Sequence, residues 1–299
     1  MNDICVLLAT YNGEAFIKEQ LESILAQEDV TIHLLIRDDG STDRTLEIVE
    51  QYSTKLDIKL LQGKNLGAAM NFMELLQNAD EYDYYAFCDQ DDIWNRDKLA
   101  VAIKHLSDKQ DIPCLYSCEY ELVDEKGMHL GYSNVHASKI TLGESIVGTT
   151  PNGCTMVFNA KLRQLVATSH PQYVRGHDYW MTMLVLALEE GVFIQDNTYV
   201  GMKYRLHGNN VSATKSPVIR LKRLLKSMTN RPNERQFQAK SLYDNHLSLL
   251  GRDEKELLQT IISYREGINR IIILFDKRFK TCSVYKNYLF KIACILGKF

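Results

Sequence analysis

The stretch Asp89-Gln90-Asp91-Asp92 places three carboxylates within four residues, directly after the apolar run 84–88. We expect that run to be a buried strand, so the carboxylates gather where it ends. Like charges at this spacing repel, and one pKa must rise unless a positive charge lies between them. A divalent cation with oxygen ligands, such as Mg2+ or Mn2+, would supply that charge. The alternative is an acidic solvated turn in which Asp92 caps a helix.

The first third of the chain alternates strand and helix patterns, which predicts a parallel sheet covered by helices on both faces. Strands are expected at 4–9, 32–36, 58–61 and 84–88, and Ser41 or Thr42 is expected to cap the helix after the second. Ligands bind beyond the carboxyl ends of the strands in such sheets. The clusters 10–12, 38–39 and 89–92 follow three of these strands, so we expect them to converge on one edge.

A different pattern begins after residue 113. Segments 114–123 and 128–132 predict a hairpin, and further strands are expected at 153–158 and 199–206. A helix is expected to begin near His177, and the chain from Ser216 onward is expected to be helical.

The bulk composition is that of a globular protein, with 299 residues, 45% of them hydrophobic and 24% charged. We expect no signal peptide, because Asn2 and Asp3 lead straight into the first strand. No apolar run approaches the roughly 20 residues needed to span a bilayer. The seven cysteines lack zinc-type spacing, so we expect reduced thiols in a cytoplasmic protein.

Charge is distributed unevenly along the chain. Residues 216–299 hold 17 basic and 7 acidic side chains, whereas the preceding residues hold 18 and 31. Basic and apolar residues interleave at 219–226 and 286–298, which predicts basic amphipathic helices. Two hypotheses stay open for this region: peripheral contact with an anionic membrane, or packing on the catalytic domain or on another subunit of a homo-oligomer. No nucleic-acid recognition module is visible, so we expect no nucleic acid partner.

Several motifs, in this order, resemble those of the family 2 glycosyltransferases, which have the nucleotide-sugar-binding fold called GT-A. They are Thr10-Tyr11-Asn12, Asp38-Asp39-Gly40-Ser41-Thr42-Asp43, Asn65-Leu66-Gly67, Asp89-Gln90-Asp91-Asp92-Ile93-Trp94, His177-Asp178 and Tyr204-Arg205-Leu206-His207-Gly208-Asn209-Asn210. The resemblance spans about residues 4–212 and is greatest to bacterial rhamnosyltransferase-type members. It implies an α/β fold, with a GT-A catalytic domain at 1–213 and a basic helical extension at 214–299.

For the donor, the resemblance implies a UDP- or dTDP-sugar, with rhamnose as one candidate sugar. Asp39 would accept a hydrogen bond from the pyrimidine N–H, while Thr10 and Tyr11 would line the base pocket. Asp89 would bind the ribose hydroxyls. The remaining predicted donor-binding residues are Asn12, Asn65, Gly67 and Arg205. The alternatives are that Tyr11 is a core aromatic and that Asp38 caps a turn.

For the chemistry, the resemblance implies Mn2+ or Mg2+ held by Asp91 and His207 at the donor diphosphate. Asp178 would deprotonate the acceptor hydroxyl, which predicts inversion at the anomeric carbon. Its neighbour His177 stands where the family often has a second acidic residue. The alternative for Asp178 is a carboxylate stabilised by the dipole of its helix. Asp92 is left between a supporting carboxylate and a helix cap.

The sequence therefore predicts an inverting, metal-dependent glycosyltransferase that acts on a saccharide or lipid-linked acceptor in cell-surface polysaccharide synthesis. We expect it in the cytoplasm or at the inner face of the plasma membrane. A sugar nucleotidyltransferase is disfavoured because the turn 10–14 offers no basic residue to a triphosphate. A non-catalytic nucleotide-sugar binder is disfavoured because Asp91 and Asp178 are both present.

Overall fold

The computed structural model describes residues 2–133, 139–169, 171, 174–208 and 233–297. Its strands are β1 (Asn2–Thr10), β2 (Val30–Asp38), β3 (Asp57–Gln62), β4 (Tyr84–Cys88), β5 (Ile93–Trp94), β6 (Cys114–Val123), β7 (His129–Tyr132), β8 (Met156–Asn159) and β9 (Val192–Arg205). Its α-helices are α1 (Ile17–Leu25), α2 (Thr45–Tyr52), α3 (Ala68–Asn78), α4 (Lys98–Leu106), α5 (Leu142–Val147), α6 (Ala160–Ala167), α7 (His177–Ala187), α8 (Glu234–His246), α9 (Arg252–Ile262), α10 (Asn269–Phe275) and α11 (Val284–Ile295).

All nine of these strands belong to one sheet, with the order β3-β2-β1-β4-β8-β6-β9-β5 and with β7 paired to β6. The first four strands in this order are parallel, as the alternating pattern predicts. Beyond β4 the sheet is mixed, because β8 runs antiparallel to both β4 and β6. The predicted hairpin forms between β6 and β7.

Side chains of β1 alternate between two apolar layers, one on each face of the sheet. Ile4, Val6 and Leu8 pack with α1, α2 and α4. Cys5 and Leu7 face the other layer, which holds α3, α6 and α7. Both faces of the parallel part are therefore covered, as expected.

The C-terminal helices α8 to α11 continue the second of these layers. Ala239, Leu257, Ile273 and Phe290 belong to the same apolar cluster as Trp180 of α7. The helices thus pack on the α/β core. The predicted boundary at 213/214 and the basic stretch 216–232 lie outside the described residues.

Two local predictions are wrong. Ser41 and Thr42 do not cap α2, which begins at Thr45, because the carboxylate of Asp43 accepts from the Thr45 N–H at 3.0 Å instead. Residues 153–155 form a 3-10 turn before β8 rather than the start of the strand. The seven cysteines form no disulfide bond with one another in the described residues, and six of them are buried, Cys282 being the exception. No helix in the described ranges is long and apolar enough to cross a bilayer.

Candidate active site

A cavity of about 1070 Å³ opens at the carboxyl ends of the parallel strands. It is large enough for a nucleotide sugar. Every predicted site residue except Arg205 lines it, namely Thr10, Tyr11, Asn12, Asp39, Asn65, Gly67, Asp89, Asp91, Asp178 and His207. Residues up to 197 positions apart in the chain, from 10 to 207, therefore meet at one site.

Asp38 and Asp39 are adjacent but have different environments. Asp38 is buried beneath the loop, and its carboxylate accepts hydrogen bonds from Thr10 Oγ1 at 2.9 Å and from the Ser41 N–H at 2.8 Å. It accepts a further bond from the Gly40 N–H at 3.0 Å. Asp38 therefore stabilises the turn after β2, which is the structural alternative considered for it.

Asp39 points to the cavity and is held by three partners. Its Oδ1 accepts from Arg37 Nη1 at 2.6 Å and from the Leu66 N–H at 2.8 Å, and its Oδ2 accepts from the Gly67 N–H at 2.8 Å. Gly67 has φ +80°, a conformation that favours glycine, and it precedes α3. No sequence pattern indicates the contact between Arg37 and Asp39. A fixed carboxylate with a cavity-facing edge suits recognition of a ring N–H.

The loop after β1 is held by hydrogen bonds to two other loops. The Gln90 amide pairs with the Tyr11 backbone, donating to its carbonyl at 3.0 Å and accepting from its N–H at 2.9 Å. Asn12 Oδ1 accepts from the Thr42 N–H at 2.8 Å. Tyr11 is 48% exposed, so the hypothesis that it is a core aromatic is wrong, and its ring is available to a ligand.

Two carboxyl groups of the acidic quartet have raised pKa values, with burial as the larger cause and the predicted repulsion between carboxylates as the second. Burial, followed by the charges of Asp91 and Asp178, raises the pKa of Asp89 to about 7. Burial and the charges of Asp91 and Asp89 also raise the pKa of Asp92 well above its ordinary value. The charge of Asp178, the predicted base, contributes to the raised pKa of Asp89, so these two carboxylates lie close enough to repel each other. The cavity thus concentrates negative charge that a cation would offset.

Asp92 supports the site from below and does not cap a helix, since α4 begins six residues later with Asp97 at its N-cap. It is fully buried, and its Oδ1 accepts from the Arg205 N–H at 3.2 Å. Lys98, also fully buried, donates to the Cys154 carbonyl at 2.7 Å. The Lys98 ammonium lies 3.4 Å from the centroid of the buried Trp94 ring, so Trp94 is a packing residue.

The predicted metal ligands Asp91 and His207 are in direct contact. His207 Nε2 lies 2.6 Å from Asp91 Oδ2, and both side chains are largely buried. Asp91 and His207 offer a carboxylate and an imidazole in one acidic cavity, ligand types that Mn2+ accepts and, for the carboxylate, Mg2+ as well. The residues present therefore fit the predicted ion.

A second group of potential ligands consists of Asp89, Asp92 and Cys154, whose ligand atoms lie within 4.8 Å of one another. Burial and the charges of Asp92 and Asp89 raise the pKa of the Cys154 thiol well above its ordinary value, so it stays protonated. A protonated thiol is a poor ligand for a hard cation. This group is therefore a poor candidate for a Mn2+ or Mg2+ site.

Arg205 does not line the cavity, and its predicted contact with the donor stays a prediction. It is fully buried, and its guanidinium donates to Glu19 at 2.6 Å and to the Glu125 carbonyl at 2.7 Å. Its Nε donates to the Asp91 carbonyl at 3.0 Å. In this structure Arg205 therefore positions the backbone of the acidic quartet.

Asp178 lies in the first turn of α7 and faces the cavity. Its Oδ1 accepts from the Tyr179 N–H at 2.8 Å. A Cβ atom on Gly176 would overlap that same oxygen. The carboxylate can take this orientation because residue 176 has no side chain. The position suits a base at the cavity wall, and the role itself remains a prediction.

His177 lines the cavity. The sequence singled it out only because it stands beside Asp178, where the family often has a second acidic residue. Its Nε2 is buried and has no hydrogen-bond partner among the described residues. The ring packs on Phe72, with centroids 3.9 Å apart, and meets the ring of Phe87 edge-on. Burial lowers the pKa of His177 to about 4, against the opposing charge of Asp178. The imidazole is therefore neutral near pH 7.

Comparison with known proteins assigns this fold and cavity to a family. The profile described as Glycosyl transferase family 2 matches residues 5–163, more than half of the chain. The chain belongs to glycosyl transferase family 2. The predicted family and the prediction of a glycosyltransferase are both confirmed.

Two family 2 relatives illustrate the similarity. The chain is 48% identical over 102 residues to dTDP-rhamnosyl transferase RfbG of Shigella flexneri, a match that covers 32% of this chain and 35% of RfbG. It is 26% identical over 212 residues to UDP-Glc:alpha-D-GlcNAc-diphosphoundecaprenol beta-1,3-glucosyltransferase WfgD of Escherichia coli, covering 71% of this chain and 80% of WfgD. The RfbG match thus spans about a third of that protein's length.

A solved structure shares the fold of this family 2 chain. It is the mannosyltransferase PcManGT from Pyrobaculum calidifontis in complex with GDP-Man and Mn2+, with a TM-score of 0.56 and 17% identity. The match covers 99% of this chain and 86% of that one. At this identity the likeness shows the fold alone, and it confirms the predicted GT-A architecture with C-terminal helices.

Proposed function

We propose that this family 2 chain is an inverting, metal-dependent glycosyltransferase that uses a pyrimidine nucleotide sugar. The observation that carries the proposal is the shared cavity of Asp89, Asp91, His207 and Asp178. It unites an acidic, cation-attracting centre with a separate carboxylate at the start of α7. Those are the two parts of a metal-dependent displacement at an anomeric carbon.

Donor recognition is assigned to Asp39, Tyr11 and Asp89. The Asp39 carboxylate, fixed by Arg37, accepts the pyrimidine N–H, and the exposed ring of Tyr11 supports the base. Asp89 binds the ribose hydroxyls. The partial similarity to a dTDP-rhamnosyl transferase favours dTDP-rhamnose as the first donor to test, ahead of UDP-sugars.

Asp91 and His207 would hold Mn2+ or Mg2+, the ion that neutralises charge on the leaving diphosphate. The Mn2+ complex of PcManGT supports this assignment for the fold. The Arg205 side chain donates to the Asp91 carbonyl and so keeps that backbone in place, and the Asp92 carboxylate accepts from the Arg205 N–H.

Asp178 is the proposed base. It takes the proton from the acceptor hydroxyl while that oxygen bonds to the anomeric carbon, and the bond from this carbon to the diphosphate oxygen breaks with its electron pair. Attack opposite to the leaving group inverts the anomeric centre. The acceptor is a saccharide, free or lipid-linked, of the kind used in cell-surface polysaccharide synthesis, as the name of WfgD suggests.

The test incubates the full chain with Mn2+ or Mg2+ and a panel of dTDP-, UDP- and GDP-sugars, with and without saccharide acceptors. We expect release of the nucleoside diphosphate with a pyrimidine donor only, and its loss when the metal is chelated. Release without metal, or from no donor at all, contradicts the proposal.

Two variants separate the assigned roles. Asp178→Asn should bind donor normally and lose transfer by about 100-fold or more, whereas Asp91→Asn should lose Mn2+-dependent donor binding. Asp111→Asn alters an exposed carboxylate outside the cavity and is the control. If Asp178→Asn retains transfer, another residue is the base.

A further inference from the structure

The last two helices, α10 and α11, form a hairpin whose inner side is part of the core. Phe279, in the connection, stacks on Phe290 with ring centroids 5.4 Å apart, and the Cys294 thiol contacts the Arg270 carbonyl at 3.6 Å. Ile273 and Phe290 are almost fully buried. The inner side of the hairpin thus needs no further partner.

The outer side of this hairpin is apolar and exposed. Nine of the twenty large apolar side chains exposed in the described residues lie within 268–296, a tenth of the chain. We call them the C-terminal face: Ile268, Ile271, Ile272, Phe275, Val284, Tyr285, Tyr288, Ile295 and Leu296. Phe275 and Val284 are each 80% exposed. Such a concentration marks an interaction surface rather than scattered surface residues.

The segment that carries the C-terminal face has a net positive charge. Residues 268–296 contain six basic side chains and one acidic one, in a chain whose net charge is -3. That acidic residue, Asp276, is already paired with Arg278 at 2.7 Å. On α11 the exposed positions Val284, Tyr288, Lys291 and Ile295 follow helical spacing and form one stripe.

We propose that the C-terminal face binds the surface of an anionic lipid bilayer. Exposed aliphatic side chains, tyrosines and lysines on one side of a helix are the combination that enters the headgroup region. A second copy of the chain would fit poorly, because a symmetric contact would bring two positively charged faces together. With 12 residues, α11 is about 18 Å long, so it lies along the interface rather than across the bilayer.

Contacts connect this face to the wall of the cavity. Lys286, between Tyr285 and Tyr288 on α11, donates to the Gly148 carbonyl at 2.8 Å. A Cβ atom on Gly148 would lie 3.1 Å from the hydroxyl of Tyr179, which lines the cavity next to Asp178. If the proposed function holds, the bilayer therefore lies close to the side of the cavity where the acceptor is deprotonated.

The test is flotation of the full chain with vesicles of phosphatidylcholine alone or with roughly one third phosphatidylglycerol. We expect flotation with the anionic vesicles, weakened by salt. The variant Phe275→Ser/Val284→Ser/Tyr288→Ser and the variant Lys277→Gln/Lys280→Gln/Lys291→Gln should each reduce binding about tenfold or more.

The matched control replaces three exposed apolar residues elsewhere, Met128→Ser/Leu130→Ser/Tyr132→Ser, and should float like the parent. Equal flotation of the face variants and this control overturns the proposal. So does a concentration-dependent dimer that the face variants dissociate, because that result assigns the face to a second copy. Flotation needs no turnover, and transfer to a soluble acceptor should survive in the face variants, so failure here is distinct from failure of the proposed function.

Discussion

A Cβ atom on Gly153 would overlap Nε2 of His177. The imidazole therefore occupies the space that any larger residue at 153 would need. The ring also packs against Phe72 and Phe87, so these side chains block its movement away from residue 153. The 3-10 turn before β8 and the first residue of α7 thus define one wall of the cavity together.

We expect Gly153→Ala to destabilise the fold by about 1–3 kcal/mol, because the added methyl group overpacks this wall. Donor turnover should fall with it, since Asp178 follows His177 directly. His177→Ala should remove the overlap, so the double variant should be more stable than the sum of the single effects predicts. Chemical denaturation of all four proteins measures the coupling.

Gly208→Ala is the control for stability, because a Cβ atom there meets no atom of the described residues within 4 Å. It should unfold like the parent. Additive effects of Gly153→Ala and His177→Ala would show that the overlap is relieved elsewhere.

The lowered pKa of His177 makes stability depend on pH. Burial lowers this pKa from 6.5 to about 4, so the unfolded chain binds more protons than the folded one between these values. The contribution of the neutral imidazole is fully present above pH 6.5 and is lost as pH falls through about 4. The difference in unfolding free energy between the parent and His177→Gln should change by about 3 kcal/mol over this range.

Other titrating groups, Asp89 among them, are present in both proteins and cancel in that difference. Urea titrations at several pH values between 4 and 8 provide the measurement. A difference that does not vary with pH would show that His177 titrates alike in the folded and unfolded chains.

Asp38 and Asp39 should respond differently to the same substitution. Asp38→Asn replaces an acceptor of the Thr10 and Ser41 hydrogen bonds with a donor, so we expect a loss of about 1–3 kcal/mol of stability. At a temperature where both variants are folded, donor affinity should persist in Asp38→Asn and fall in Asp39→Asn. Thermal unfolding and calorimetric titration with a nucleoside diphosphate separate the two, and equal donor affinity in both variants would remove Asp39 from the base pocket.

Gln90→Glu should raise the KM for the donor about tenfold. A carboxylate cannot donate to the Tyr11 carbonyl, and it adds a negative charge beside Asp89 and Asp91. The matched control is Gln110→Glu, which should leave the KM unchanged. The Gln110 amide donates to the hydroxyl of Tyr84, which begins β4 at the end opposite to the cavity. An unchanged KM in Gln90→Glu would show that the Tyr11 loop is held without this pair.

The convergence of Asp39, Asp89 and Asp91 was predictable because the carboxyl ends of parallel strands share one edge. The repulsion within the quartet was predictable from spacing alone. The partners of these residues were not, because they are far apart in the chain: Arg205 bonds Glu19, 186 residues away, and Lys98 bonds the Cys154 carbonyl. Nor did Lys98 stand out, because a lysine at the start of a helix is ordinarily solvated.

The wrong cap for α2 has a similar cause. Ser41 and Thr42 are good capping residues, but both are held in other hydrogen bonds. The Asp38 carboxylate accepts from the Ser41 hydroxyl, and Asn12 Oδ1 accepts from the Thr42 N–H. Tertiary contacts thus overrode a local preference that the sequence states clearly.

The shared core of the C-terminal helices limits how family members can be recombined. Arg235 of α8 donates to the Ile146 carbonyl, and Lys286 of α11 donates to the Gly148 carbonyl. Both helices are therefore hydrogen-bonded to the C-terminal end of α5. A chimera that exchanges the chain after residue 213 would cut through these contacts. An exchange that carries α5 along with the C-terminal helices would keep them, and the natural unit of exchange in this protein is therefore discontinuous in sequence.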